Sequence, residues 1–413
     1  MKHSSPAKLD SSRATLSSLS ASLLPALRRT CAVIGIAALS AGAAVAANAP
    51  AAADNSAPAA KFVPKDGKIG YVMTDLYWAI YQTPDAKSEC PKGFNDGPRE
   101  QYAVLFPGSK KRTVVDTQLK LETETWLPTP DADSFPFHEA TGAYSYGLNL
   151  DGKVGPHDFT SPDGEKGIDN QLYRALGCII GFRGPDGVEY IFENKAISSN
   201  RYNRTMIEIT GVNDLSNDND VQVTIYRGLD RLLTDATGNK VVAGGSQRID
   251  ARWGRSLIQQ IPGKIVDGVL TTQPSKQMVI PWMNLGVPTF QLIRDMRFQL
   301  KLTPTGAEGL IAGYADVDTW YKQLIRNDST HHLSNGQISG ISLYKALRRL
   351  ADAHADPKTG ANTAISSALN AKFTQVYINP LDDAVKAQVL KAAKSRQIAA
   401  TQSASDSKGA AAR

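Results

Sequence analysis

From residue 61 to about 314, apolar positions recur with the two-residue period of a strand. Val221, Val223 and Ile225 alternate with polar neighbours, as do Phe298, Leu300 and Leu302, Ile207 and Ile209, and Leu119 and Leu121. Short apolar runs at 103–106 and 190–192 add two more. Successive strand side chains point to opposite faces, so this pattern predicts strands with one face in a core. Turn-forming residues separate the runs: Pro107 with Gly108, Gly184 to Gly187, Gly238 with Asn239, and Thr303 to Gly306. No amphipathic helices alternate with the strands, which disfavours an α/β dinucleotide fold. The expected fold is mainly β, one large antiparallel β-sandwich or barrel over 61–315.

Helical periodicity interrupts this pattern once and then replaces it. After Asp169, read as an N-cap, Leu172, Tyr173, Leu176 and Ile180 fall along one helical face, with Gly181 as the stop. Beyond Asp316 a small C-terminal helical region is expected, reaching to about residue 400. Trp320, Tyr321, Leu324 and Ile325 open one helix. Leu343, Tyr344, Leu347 and Leu350 share one face of a second, with Arg348 and Arg349 outward. A third is expected over about 363–369. The last, 381–397, has Pro380 at its start, Asp382 and Asp383 in its first turn and Lys391, Lys394 and Arg396 near its end, in keeping with the helix dipole. Its apolar stripe of Leu381, Val385, Val389 and Ala393 suits docking on the protein's own body or on a partner.

The two ends have a different character. Residues 1–46 read as an export signal: a basic region ending at Arg28 and Arg29, an apolar run from Cys31 through Leu39, and Ala44, Val45 and Ala46 as a small-residue cleavage site. The run is too short and too rich in Ala and Gly for a membrane span, so no integral membrane segment is expected in the mature chain. The arginine pair suits a folded-protein export route, although Thr30 and Cys31 do not match its usual surroundings. The mature chain is therefore expected to be periplasmic or secreted. Residues 47–60 and 401–413, small and polar, read as a disordered leader and tail.

Charge narrows the partners. The formal net charge is +6, of which Lys2, Lys8, Arg13, Arg28 and Arg29 against Asp10 account for +4. The +2 left on so long a chain argues against nucleic acid. Removal of the signal leaves Cys90 and Cys178, and in an oxidising compartment the default is a disulfide between them. There is no Cys-x-x-Cys-His and no paired cysteine spacing for zinc.

The stretch 147–178 carries the most specific chemistry. Within a twelve-residue window from Gly147, Asn149 and Asp151 stand at the third and fifth places and Asp158 at the twelfth. Gly152 stands at the sixth, where the chain turns sharply, Lys153 at the seventh, where a backbone carbonyl is used, and Val154 at the eighth as an apolar anchor. This spacing resembles the calcium loop of dockerin modules, an EF-hand relative, over Asn149 to Phe159. The resemblance implies Ca2+ held by oxygen ligands. Gly147 stands where the first ligand is expected, so Asp163 or Asp169 is the candidate replacement. The alternative is a polar loop whose Asp and Asn side chains cap turns. Asn213, Asp214, Asn217, Asp218, Asn219 and Asp220 form a second oxygen-rich cluster, read either as a metal or sugar-hydroxyl site or as a solvated hairpin loop.

Catalytic groups are sparse. Glu122 and Glu124, two apart on a strand, face one side as paired glycosidase carboxylates do, but Trp126 stands where a third carboxylate is found in sandwich-fold glycosidases. His138 beside Glu139, His157 beside Asp158, and His331 with His332 complete the candidates, and no Gly-x-Ser-x-Gly elbow is present. Two functions follow as expectations. One is an exported non-catalytic binding protein with a calcium-stabilised loop, its ligand a glycan, small molecule or partner protein. The other is an exported polymer hydrolase using Glu122, Glu124 or the histidines.

Overall fold

The computed structural model describes residues 61–95, 118–120, 126–128, 137–184, 187, 194, 197, 204–250, 258–284, 287–328 and 340–380. The export signal, the leader, the runs at 103–106 and 190–192, Glu122, Glu124, His331, His332, the helix expected over 381–397 and the tail lie outside them. The strands are β1 Lys68–Trp78, β2 Gln118–Lys120, β3 Trp126–Pro128, β4 Phe159–Thr160, β5 Lys166–Ile168, β6 Arg204–Thr210, β7 Asp218–Gly228 and β8 Gly245–Arg248. They continue with β9 Gln259–Val266, β10 Val269–Thr272, β11 Met278–Asn284, β12 Val287–Thr303, β13 Gly306–Asp316, β14 Ala353–Ala355 and β15 Asn362–Asn379. The α-helices are α1 Gln171–Leu176, α2 Val317–Asp328 and α3 Gly340–Leu350.

The strands β1, β6, β7, β9, β10, β12, β13 and β15 pair antiparallel in that order, and β15 returns to pair with β1. Of the sandwich and barrel alternatives, the chain thus adopts a closed up-and-down barrel. Closure leaves these eight strands no open edge, and the alternation seen in the sequence sorts each into an inner and an outer face. Tyr71 and Met73 from β1, Ile207 and Ile209 from β6, and Phe298 and Leu300 from β12 are buried in the main core. The interior is therefore filled by side chains rather than open to a ligand.

One end of this core is continued by helices. Trp320 of α2 stands edge-on to Trp78 at 6.0 Å, and Leu343 and Leu347 of α3 join the same cluster. The helix α1 buries Leu172, Tyr173 and Leu176, as its periodicity predicted. Its boundaries differ from expectation: Asn170 rather than Asp169 precedes it, Gly177 ends it, and Ile180 is 61% exposed in a separate 3-10 turn.

The outer face of the barrel carries an excursion of the chain. Leu148 and Leu150 pack against Ala312 and Tyr314 of β13 and Ala364 and Ala368 of β15. This contact overturns the helix expected over 363–369, which is the interior of the 18-residue strand β15. A strand covered on both faces loses its polar alternation, and small residues there permit close approach, so the segment reads as an Ala-rich helix. Helical structure in the C-terminal region is confined, among the described residues, to α2 and α3. The excursion is tied down by the disulfide Cys90–Cys178, with Cα atoms 5.6 Å apart across 88 residues of sequence.

Candidate functional site

The loop 147–158 folds onto itself. Asn149 Oδ1 accepts from Gly152 N–H at 2.7 Å and Asp151 Oδ1 from Lys153 N–H at 2.8 Å, while Asp158 Oδ2 accepts from Gly155 N–H. These are the turn-capping bonds that short Asx side chains make. The Lys153 carbonyl accepts from Asn149 Nδ2 at 2.8 Å, and the Lys153 ammonium stands 3.9 Å from Asp151 Oδ2. Gly152 adopts φ +77°, the sharp turn expected at the sixth place. One expectation fails here. Val154 is 68% exposed and anchors nothing. Gly147 is required by packing: a Cβ there would lie 2.8 Å from Ile168 Cγ2.

Of the two proposed replacement ligands, only Asp169 reaches the loop. Its Oδ2 accepts from Leu150 N–H at 2.6 Å and Asp151 N–H at 3.4 Å, which is why it does not cap α1. Asp163 is exposed and lies towards Tyr146 instead. Among the described residues no group of three or more His, Cys, Asp or Glu side chains converges in a metal-holding arrangement.

What the fold does assemble is a cleft of about 460 Å³ beside this loop. Asp151, Pro156, His157 and Asp158 come from the excursion, Asp169 and Gln171 from the start of α1, and Tyr314 from β13. Arg349 and Leu350 come from the end of α3, Ala351 and Asp352 from the segment after it, and Asn362 from the start of β15. Four carboxylates thus face one space. Asp169 and Tyr314 are buried at 7% and 9% exposure, whereas Asp151 and His157 are exposed at its mouth.

The electrostatics follow from this crowding. Burial pushes the Asp169 carboxyl up to about 6, and the negative charges of Asp158 and Asp151 act in the same direction, against the two backbone N–H bonds. The Asp352 residue is exposed in its loop, yet its carboxyl group turns inward, Oδ1 accepting from Ser366 N–H at 2.7 Å and Oδ2 from Ser366 Oγ at 2.6 Å. Its pKa is raised, by desolvation first and by Asp158 further down. Ser366 Oγ in turn accepts from Gln171 N–H at 2.8 Å, so β15 links Asp352 to the start of α1. The Tyr314 phenol is pushed up by burial and then by Asp169, Asp352 and Asp151. Arg349 is engaged by Glu139, and Arg297 donates to the Leu150 carbonyl at 3.0 Å behind the loop.

No family model, curated protein or solved structure matches this chain. The dockerin likeness rests on the spacing of its dozen residues alone.

Other candidates resolve into structural roles. In the second cluster, Asp218 Oδ2 accepts from Asn213 N–H at 2.7 Å and Asp214 Oδ1 from Ser216 N–H at 2.9 Å, the bonds of a hairpin loop between β6 and β7. His138 Nδ1 lies 3.2 Å from the Gly93 carbonyl. Sequence reasoning missed Asp352, Tyr314 and Ser366. The only local trace of Asp352 was a lone carboxylate following the periodic residues of α3.

Proposed function

We propose that the protein is an exported, non-catalytic binding protein and that its ligand occupies the cleft between the loop 149–158 and the segment 349–352. One observation carries this reading: carboxylates remote in sequence meet at a concave site of about 460 Å³, within the range of small-molecule pockets, on the outside of a barrel whose interior is filled. The export signal and the disulfide agree with a role outside the cytosol. Calcium belongs to this reading as a ligand of the loop. Asp151 Oδ2 and Asp158 Oδ1 accept none of the loop's own hydrogen bonds and both residues line the cleft. The test is calorimetric titration of the mature protein with Ca2+, alongside Asp151→Ala. Heat and a raised Tm that vanish in the variant support the calcium loop, and no heat with an unchanged Tm removes it.

The hydrolase reading gains one specific observation. Asp169, held near pKa 6 beside other carboxylates, has the character of a general acid paired with an ionised partner. Release of reducing ends from polysaccharides, abolished by Asp169→Asn, would favour it over binding alone.

A further inference from the structure

Resting on the reading of the cleft as a ligand site, we infer that its ligand is a small organic cation, a primary ammonium on a short apolar body, held by Asp352 and the Tyr314 hydroxyl.

The decisive group is Tyr314. It is 9% exposed, it lines the cleft, and among the described residues its hydroxyl has no hydrogen-bond partner. Unlike Tyr173, whose hydroxyl is fully buried with no partner among the described residues, Tyr314 keeps its hydroxyl in contact with the open space of the cleft, where a ligand can reach it. The neighbouring carboxylates do not supply the missing partner. Asp169 is turned to the Leu150 and Asp151 amides and Asp352 to Ser366, although each keeps lone pairs free. An ammonium group carries three donors and no acceptor, so it can bond to Asp352 and to the Tyr314 oxygen together. The charge balance agrees: four carboxylates face the cleft, Arg349 is taken by Glu139, and the positive charges nearby, Lys153 at 3.9 Å from Asp151 and Arg297 on the neutral Leu150 carbonyl, leave the site net negative.

An organic cation fits better than a bare metal ion. The carboxylates are spread around a volume of about 460 Å³ and do not converge on one point. Pro156, Leu350 and Ala351 give the same space an apolar lining, which suits a ligand with hydrocarbon beside its charge.

The experiment uses the mature full-length chain and three probes: 1,4-diaminobutane, its neutral counterpart 1,4-butanediol, and calcium chloride. Titration calorimetry is expected to detect the diamine and not the diol, with affinity falling as salt rises. Tyr314→Phe removes only the hydroxyl and is expected to weaken diamine binding about tenfold, the worth of one charge-assisted hydrogen bond. Asp352→Asn is expected to weaken it at least as much. Unchanged diamine affinity in both variants, or equal binding of diol and diamine, would overturn the inference. Binding of calcium without diamine would also overturn it and leave the binding-protein reading standing, whereas failure of all three probes counts against both.

Discussion

Glu89 is the residue on which the disulfide region turns. It is 2% exposed, accepts from Thr83 N–H, Thr83 Oγ1 and Ser88 Oγ, and pairs with Arg183 at 2.7 Å. Burial alone would raise its pKa, but the hydrogen bonds from Thr83, Arg183 and Ser88 outweigh it and hold the carboxyl at about 2. A folded pKa below the ordinary 4.5 stabilises the fold above that pH, and the contribution is lost as pH falls from 4.5 towards 2. Glu89→Gln leaves Arg183 buried without its counter-charge and should cost about 3 to 5 kcal/mol at pH 7. Urea unfolding at pH 7 and pH 3 checks both points: the variant should lose less stability than wild type between the two pH values, and an unchanged midpoint at pH 7 would refute the role. Asp169 has the opposite sign. Its folded pKa near 6 lies above the ordinary 3.8, so its contribution is full below 3.8 and lost as pH rises through 6. In calcium-free buffer Asp169→Asn keeps an acceptor for Leu150 N–H and should be at least as stable as wild type at pH 7.5. Relative to wild type it should lose ground at pH 4. A variant markedly destabilised at pH 7.5 would contradict this.

Among the elements, β15 shows where local pattern misleads. Its residues 364–369 are Ala, Ile, Ser, Ser, Ala and Leu, all buried, because β1 and β13 flank the strand while Leu148 and Leu150 cover its outer side. Neither period is visible when both faces are buried, and composition then favours helix. Hydrogen exchange distinguishes the two structures. Amides over 364–374 should be among the slowest in the chain, since they belong to ladders at the centre of the barrel, and exchange as fast as in the loop 149–158 would be incompatible with that placement. Close packing also sets glycine positions. A Cβ at Gly313 of β13 would lie 2.6 Å from Ile293 Cγ2 and 2.8 Å from the Arg294 carbonyl, beside the β12 bulge. Gly313→Ala should therefore destabilise by about 1 to 3 kcal/mol, measurable by thermal unfolding.

At the scale of the molecule, a closed barrel with a filled interior carries its candidate site on an outer excursion pinned by one disulfide. Replacing Cys90 and Cys178 by Ser should lower stability by about 4 to 5 kcal/mol in the chain-entropy model. Proteolysis should then start within 137–170, and an unchanged denaturation midpoint would show that the bridge holds nothing in place. The alternation at Val221 to Ile225 and Phe298 to Leu302 was enough to establish a mainly β chain, and Leu172, Tyr173, Leu343 and Leu347 marked faces of two helices, because one buried face imprints its own period on the residues that form it. With Cys31 read as part of an export signal, the other two cysteines allowed only one pairing. Closure of the barrel, the strand identity of β15 and the meeting of Asp169, Tyr314 and Asp352 were decided in three dimensions. Each depends on segments far apart in the chain, and a contact between such segments leaves no periodic trace in either.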